Sequence, residues 1–142
     1  MMQRGRRIAF DYGDVRIGVA VSDPDSILSS PLTTLRSDSK SLSKEILAIF
    51  EEIEPVQIFV GKPALLSGNS GSASEKAEDF AQSLTALTDV EIVMVDERMS
   101  TVSAARNLRE AGKNARDSKS SIDMAAAVAI LDFGIEIQKR KP

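Results

Sequence analysis

Three carboxylates far apart in the chain, Asp11, Glu97 and Asp123, are the residues whose types and placement can do chemistry. Asp11 follows the apolar run Ile8-Ala9-Phe10, and Glu97 follows Ile92-Val93-Met94-Val95-Asp96. Asp123 opens the last stretch of apolar period. The first two mark the ends of expected strands, and the third the start of an expected helix. If those ends converge, three acids make an all-oxygen site for a hard divalent cation. Mg²⁺ prefers such donors and keeps positions open for water and phosphate, which suits phosphodiester hydrolysis.

Composition narrows the chemistry further. The 142 residues contain no cysteine and no histidine. Disulfides, zinc-thiolate sites, thiol nucleophiles, Ser-His-Asp triads and histidine bases are therefore all excluded. Catalysis must run on carboxylates, Lys, Arg, Ser, Thr, Tyr12, backbone groups or a bound ion. A hydrophobic share of 42% against 27% charged is ordinary globular composition, and the length fits one domain spanning residues 1–142. The basic start Met-Met-Gln-Arg-Gly-Arg-Arg leads straight into a strand-like segment with no apolar leader, so a cytoplasmic protein is expected. A net charge of −3 argues weakly against nucleic acid, but the distribution counters it. From Arg98 to Lys119 six basic residues (Arg98, Arg106, Arg109, Lys113, Arg116, Lys119) face two acids (Glu110, Asp117), a local net of +4. That stretch is either a solvated helix face or a backbone-binding surface.

The elements that must position these residues follow from period and punctuation. Residues 6–12, 15–22 and 30–35 read as three strands of an antiparallel meander, because their connections are too short for a parallel crossover. Gly18 suggests a bulge or a close backbone approach, and Pro31 an edge. Leu42, Ile46, Ile49, Phe50 and Ile53 form one helical stripe that stops before Pro55. Val56 to Val60 reads as a strand closed by Gly61-Lys62-Pro63, and the Gly/Ser-rich stretch 67–74 as a loop. Ser72-Ala-Ser-Glu75 fits a capping box for a helix striped by Ala77, Phe80, Ala81, Leu84 and Leu87. A strand is expected over Glu91–Val95 and a shorter helix from Ser100 or Thr101 to Gly112. The last helix is expected from Ser121 to Gln138, striped by Ile122, Ala126, Ala129, Ile130, Phe133 and Ile137. This order is α/β, with a five-stranded mixed sheet and helices on its faces.

Each acid also has a bland reading. Asp11-Tyr12-Gly13 could be a turn acid beside a glycine. Asp96-Glu97 and Asp123 could simply pair with positive helix N-termini. Three such coincidences at three element ends make the shared site the stronger account. Lys119, four residues before Asp123, would share a face with it on a continuous helix, either as a surface ion pair or as a cation beside phosphate. Arg16 and Arg98 could likewise meet phosphate oxygens. The 67–74 loop could cover substrate or be an ordinary surface loop.

These residues also form a familiar pattern. Asp11-Tyr-Gly-Asp-Val-Arg16-Ile-Gly18-Val-Ala-Val-Ser22-Asp23, Pro31-Leu32, Gly61-Lys-Pro63, Gly68, Asp96-Glu97-Arg98-Met-Ser-Thr101 and Lys119 through Asp123 closely resemble the YqgF family of pre-16S rRNA nucleases and RuvX-type Holliday junction resolvases. The resemblance runs from about Ile8 to Phe133. Lys62 stands where many members have Leu, and Ser100 where Thr is usual. The resemblance implies an RNase H-like fold, with Asp11, Glu97 and Asp123 as catalytic acids holding one or two Mg²⁺ or Mn²⁺ ions. Arg16, Arg98, Arg106, Arg116 and Lys119 would hold the nucleic-acid backbone. It implies a metal-dependent nuclease, with 5′ processing of a pre-16S rRNA precursor favoured over branched DNA. Two further readings stay open: a binding module without catalysis, and nucleotide handling of the actin-like kind. No membrane is expected, and the chain could be a monomer or a homodimer.

Overall fold

A computed structural model of the protein describes residues 3–62, 71–96 and 115–140, without the side chains of 71–74 and 115–123. Among these residues the elements are β1 (Arg7–Tyr12), β2 (Arg16–Ser22), β3 (Ser29–Arg36), α1 (Leu42–Ile53), β4 (Gln57–Lys62), α2 (Gly71–Leu84), β5 (Ile92–Asp96) and α3 (Ala115–Arg140). The helix expected between Ser100 and Gly112 lies outside them. No helix among the described residues is long and apolar enough to cross a membrane.

The five strands form one sheet in the order β3-β2-β1-β4-β5. The first three make the expected meander, and β1, β4 and β5 run parallel. Helices supply the two crossovers, so the carboxyl ends of β1, β4 and β5 share one edge of the sheet. The β1–β2 turn closes with the Gly13 N–H donating to the Arg16 carbonyl at 2.9 Å. A Cβ on Gly13 would stand 2.7 Å from that oxygen, so the turn needs glycine. β3, which carries Pro31, is an edge strand as expected. The ladder irregularity falls between Val19 and Ala20 rather than at Gly18.

Alternation along the strands divides the core in two. Ile8, Phe10, Ile17, Val19, Ile58 and Val60 pack with Ile46, Ile49, Phe50 and Ile53 of α1 and with Phe80, Ala81 and Leu84 of α2. Phe10 meets Phe50 and Phe80 edge-on, with ring centroids 6.2 and 5.4 Å apart. On the other face, Ala9, Ala20, Phe59 and Val95 pack with Ala126, Ala127, Ile130, Leu131 and Ile135 of α3.

Four expectations about the elements need correction. β4 runs on through Gly61 and Lys62, because pairing with Val95 and Asp96 outweighs the turn-like Gly-Lys-Pro sequence. α2 runs from Gly71, so position 72 lies inside its first turn and not at the N-cap position that the sequence suggested. α3 begins at Ala115, six positions before the expected start at Ser121. Its buried stripe is also turned toward Ala127, Leu131 and Ile135, away from the larger Phe133 and Ile137, which are half-buried. Small residues explain that turn. Ala9 and Ala20 leave a shallow surface, and a Cβ on Gly134 would stand only 2.7 Å from the Phe59 ring, so α3 lies close against the sheet there.

Candidate active site

Asp11 is the next-to-last residue of β1 and only 6% exposed. It lies in the ladder, paired with Gly18 of β2, and not in the turn that follows. Its bland reading as a turn acid therefore does not hold. Because Ala9 faces α3 and Phe10 faces α1 and α2, alternation assigns Asp11 to the α3 face. The ladder with β4 pairs Phe10 with Val60, so Gly61 is the next position beside Asp11. The carboxylate thus stands between two glycine positions, with no side chain to its left or right along the row. A carboxylate at a strand end, lowered among glycines, can receive an ion or a phosphate from above.

Asp123 lies in α3, eight residues after its start at Ala115. An acid that deep in a helix is beyond the first turn, where the positive N-terminus acts, so the capping and dipole readings of Asp123 both fall. Position 123 precedes Ala126, Ala127, Ile130 and Leu131 by three, four, seven and eight residues, the spacing of the stripe that α3 lays on the sheet. Glu97 lies outside the described residues, directly after Asp96 at the end of β5. The structure therefore describes one acid of the three in full and the second by its place in a helix.

Among the expected phosphate contacts, Arg16 is the half-buried first residue of β2, at the same edge of the sheet as Asp11. Lys119 and Arg116 lie in α3, which is continuous from Ala115, so Lys119 and Asp123 are one helical turn apart as the sequence suggested. Arg98 and Arg106 lie outside the described residues.

Sequence reasoning passed over three other cations at this edge. Arg36 pairs with Arg16 in the ladder and bridges Asp38 at 3.2 Å. Lys62 ends β4, and its Nζ lies 2.7 Å from Glu78 Oε1. Lys76 Nζ lies 2.9 Å from Asp14 Oδ1 in the β1–β2 turn, and hydrogen bonding to Asp14 raises the ammonium pKa. Only Lys62 gave a signal beforehand, as a departure from the pattern that the sequence resembles.

With that geometry in place, comparison with known proteins is informative. A family model described as RuvX, Holliday junction resolvase, matches residues 5–136. A "Putative pre-16S rRNA nuclease" of Streptomyces avermitilis is 41% identical over 140 residues, covering 97% of this chain and 90% of that protein. A protein of the same description from Rhodococcus erythropolis is 46% identical over 143 residues, covering 96% and 81%. Among solved structures, Thermus thermophilus RuvC in complex with Holliday junction substrate aligns over 96% of both chains with a TM-score of 0.61. At 11% identity that likeness shows the fold, which is the RNase H-like one.

Proposed function

This chain belongs to the RuvX family, and from that premise we propose that it is a divalent-metal-dependent nuclease, with 5′ processing of pre-16S rRNA as its task. The observation that carries the reading is the placement of Asp11: buried, at the carboxyl end of β1, between Gly18 and Gly61, on the face that α3 covers. Position 123 belongs to the same face through the stripe of α3. Alternation beyond Val93 and Val95, both packed toward α3, would add Glu97 if β5 continued by one residue.

The donor set fits a hard cation. A chain without histidine or cysteine offers oxygen ligands, and Asp11, Glu97 and Asp123 would hold Mg²⁺ or Mn²⁺. When bound, such an ion supplies Lewis acidity toward the phosphoryl group and an activated water. The protein's own residues do the rest. Asp11 fixes one side of the reacting centre from a rigid ladder position. Arg98 and Lys119 offset charge on the phosphate in the transition state. Arg16, Arg106 and Arg116 hold the backbone to either side, so affinity should fall steeply with salt.

The test is a cleavage panel of RNA carrying a 16S 5′ leader, duplex RNA and a four-way DNA junction. Each is run with Mg²⁺, Mn²⁺ or EDTA, for wild type and Asp11→Asn. Metal-dependent cutting should drop in the folded variant by more than the roughly 10–100-fold that loss of an outer-shell partner costs. Wild-type rates in folded Asp11→Asn would sink the assignment. The family model's description as a Holliday junction resolvase favours one second reading, cleavage of branched DNA. Preference for the junction over the leader RNA would select it.

A further inference from the structure

The carboxyl edge of the sheet has two sides, and the proposed active centre occupies the one under α3. On the other side stand Lys62 and Lys76. Ile58 and Val60 face α1 and α2, so alternation assigns Lys62 to that face, across the sheet from the α3 row. Its ladder partner is Asp96, the residue before Glu97. Lys76 reaches Asp14, three residues after Asp11. Both lysines therefore stand at the carboxyl edge that carries the proposed centre, on the face away from α3.

Their present partners hold them loosely. The Lys62–Glu78 side chains are 37% and 50% exposed, and those of Lys76–Asp14 are 50% and 72% exposed. Ion pairs this open to water add little to stability. Nor does α2 depend on them for its seat. Phe80 packs on Phe10 and on Tyr12, with ring centroids 5.4 and 5.0 Å apart, and Ala77, Ala81 and Leu84 are buried beneath it. A phosphate oxygen can replace a carboxylate oxygen on either ammonium at small cost, since both are charge-assisted acceptors. Two exposed cations spaced along one edge match a repeating phosphodiester better than a single compact anion.

We infer that Lys62 and Lys76 form a second backbone-phosphate contact, across the carboxyl edge from α3, and that Glu78 and Asp14 hold the two ammonium groups in place until nucleic acid takes them. The inference rests on the nuclease reading and adds to it a contact on the face away from α3.

Fluorescence anisotropy in EDTA, with a labelled hairpin RNA and a labelled four-way DNA junction, tests it between about 50 and 200 mM salt. Lys62→Leu and Lys76→Gln should each weaken binding and flatten the slope of log K against log salt by about 0.7–0.9. Arg4→Gln, which breaks an exposed pair with Asp25 at the opposite edge, should leave the slope unchanged. Glu78→Gln and Asp14→Asn should tighten binding by freeing the lysines, whereas a purely structural tie would make them weaken it. Thermal melts establish that every variant is folded. Unchanged slopes in both lysine variants, or weaker binding by both acid variants, overturn the inference while wild-type binding keeps the nuclease reading. Failure of the wild type to bind either probe at any salt overturns both. The probe that shows the slope change identifies the backbone, RNA or DNA, that this contact serves.

Discussion

Replacing Arg7 by methionine should lower stability sharply and leave the chemistry of each folded molecule intact. Arg7 opens β1 and is 3% exposed. Its guanidinium donates to Gln57 Oε1 and Ser26 Oγ, both at 2.9 Å, and to the carbonyls of Gly5 at 3.2 Å and Gln3 at 2.8 Å. Burial lowers the guanidinium pKa and Glu91 opposes that shift. Methionine keeps most of the stem and removes all the donors. The Gly5 and Gln3 carbonyls are near enough to solvent for water to serve them. Gln57 Oε1 and Ser26 Oγ are buried, and an unsatisfied buried polar group costs about 1–3 kcal/mol. Relief of the guanidinium's own desolvation works in the opposite direction. The balance is about 2–4 kcal/mol of lost stability. At roughly 4 °C per kcal/mol for a chain of this size, Tm should fall by about 8–16 °C. Asp11 lies four residues further along the strand, about 13 Å away. Cleavage measured well below the transition should then match wild type within about twofold. A Tm change under about 3 °C would show that the cluster contributes nothing net. Lost activity in the folded variant would refute the division of β1 into an anchoring end and a chemical end.

Gly134→Ala should destabilise, although Gly→Ala inside a helix ordinarily gains about 1 kcal/mol. The new Cβ would meet three atoms of the buried Phe59 ring at 2.7–2.8 Å, an overpacking worth about 1–3 kcal/mol, so a raised Tm would contradict the close seat of α3. Asp23 accepts the amides of Ile27 at 2.7 Å, Leu28 at 2.8 Å and Asp25 at 3.2 Å, and these hydrogen bonds, led by that of Leu28, hold its carboxyl below the ordinary range. Its contribution is present above the unfolded carboxylate value of about 3.9 and is lost as pH falls through the lower folded value. The Ile27 and Leu28 amide resonances should therefore titrate with a midpoint below about 3.9, and a higher midpoint would refute the assignment.

Local pattern carried much of the fold. The α1 stripe was readable because Ile46, Ile49, Phe50 and Ile53 are large and regularly spaced, and Pro55 marks the stop. The meander followed from connections too short for anything else. What the pattern could not show was set by partners distant in sequence. Gly61 and Lys62 look like a turn until β5 is beside them. Arg7 looks like part of a solvated basic start until Gln57, fifty residues away, and Ser26 surround it. The face of α3 was misjudged because Phe133 and Ile137 dominate any count of apolar bulk, whereas alanines and a glycine set how near the helix can come.

The acids show the same boundary between local and distant information. Strand period alone put Asp11 at the end of β1, and that reading holds. The sequence offers two neighbouring acids at the end of β5, however, and spacing cannot choose between Asp96 and Glu97. Register can. Ile92 and Met94 pack with the α1–α2 core, and Val93 and Val95 with α3. Asp96, paired with Lys62, therefore belongs to the face away from Asp11. The fold thus assigns Asp96 to the side of the sheet away from α3, whereas Glu97 lies outside the described residues. The start of α3 makes the matching distinction for Asp123. A helix beginning at Ser121 would have made this acid an ordinary first-turn residue, with electrostatics enough to explain it. Beginning at Ala115, the helix puts position 123 in its third turn, in step with Ala126 and Ile130 and past the reach of the positive N-terminus.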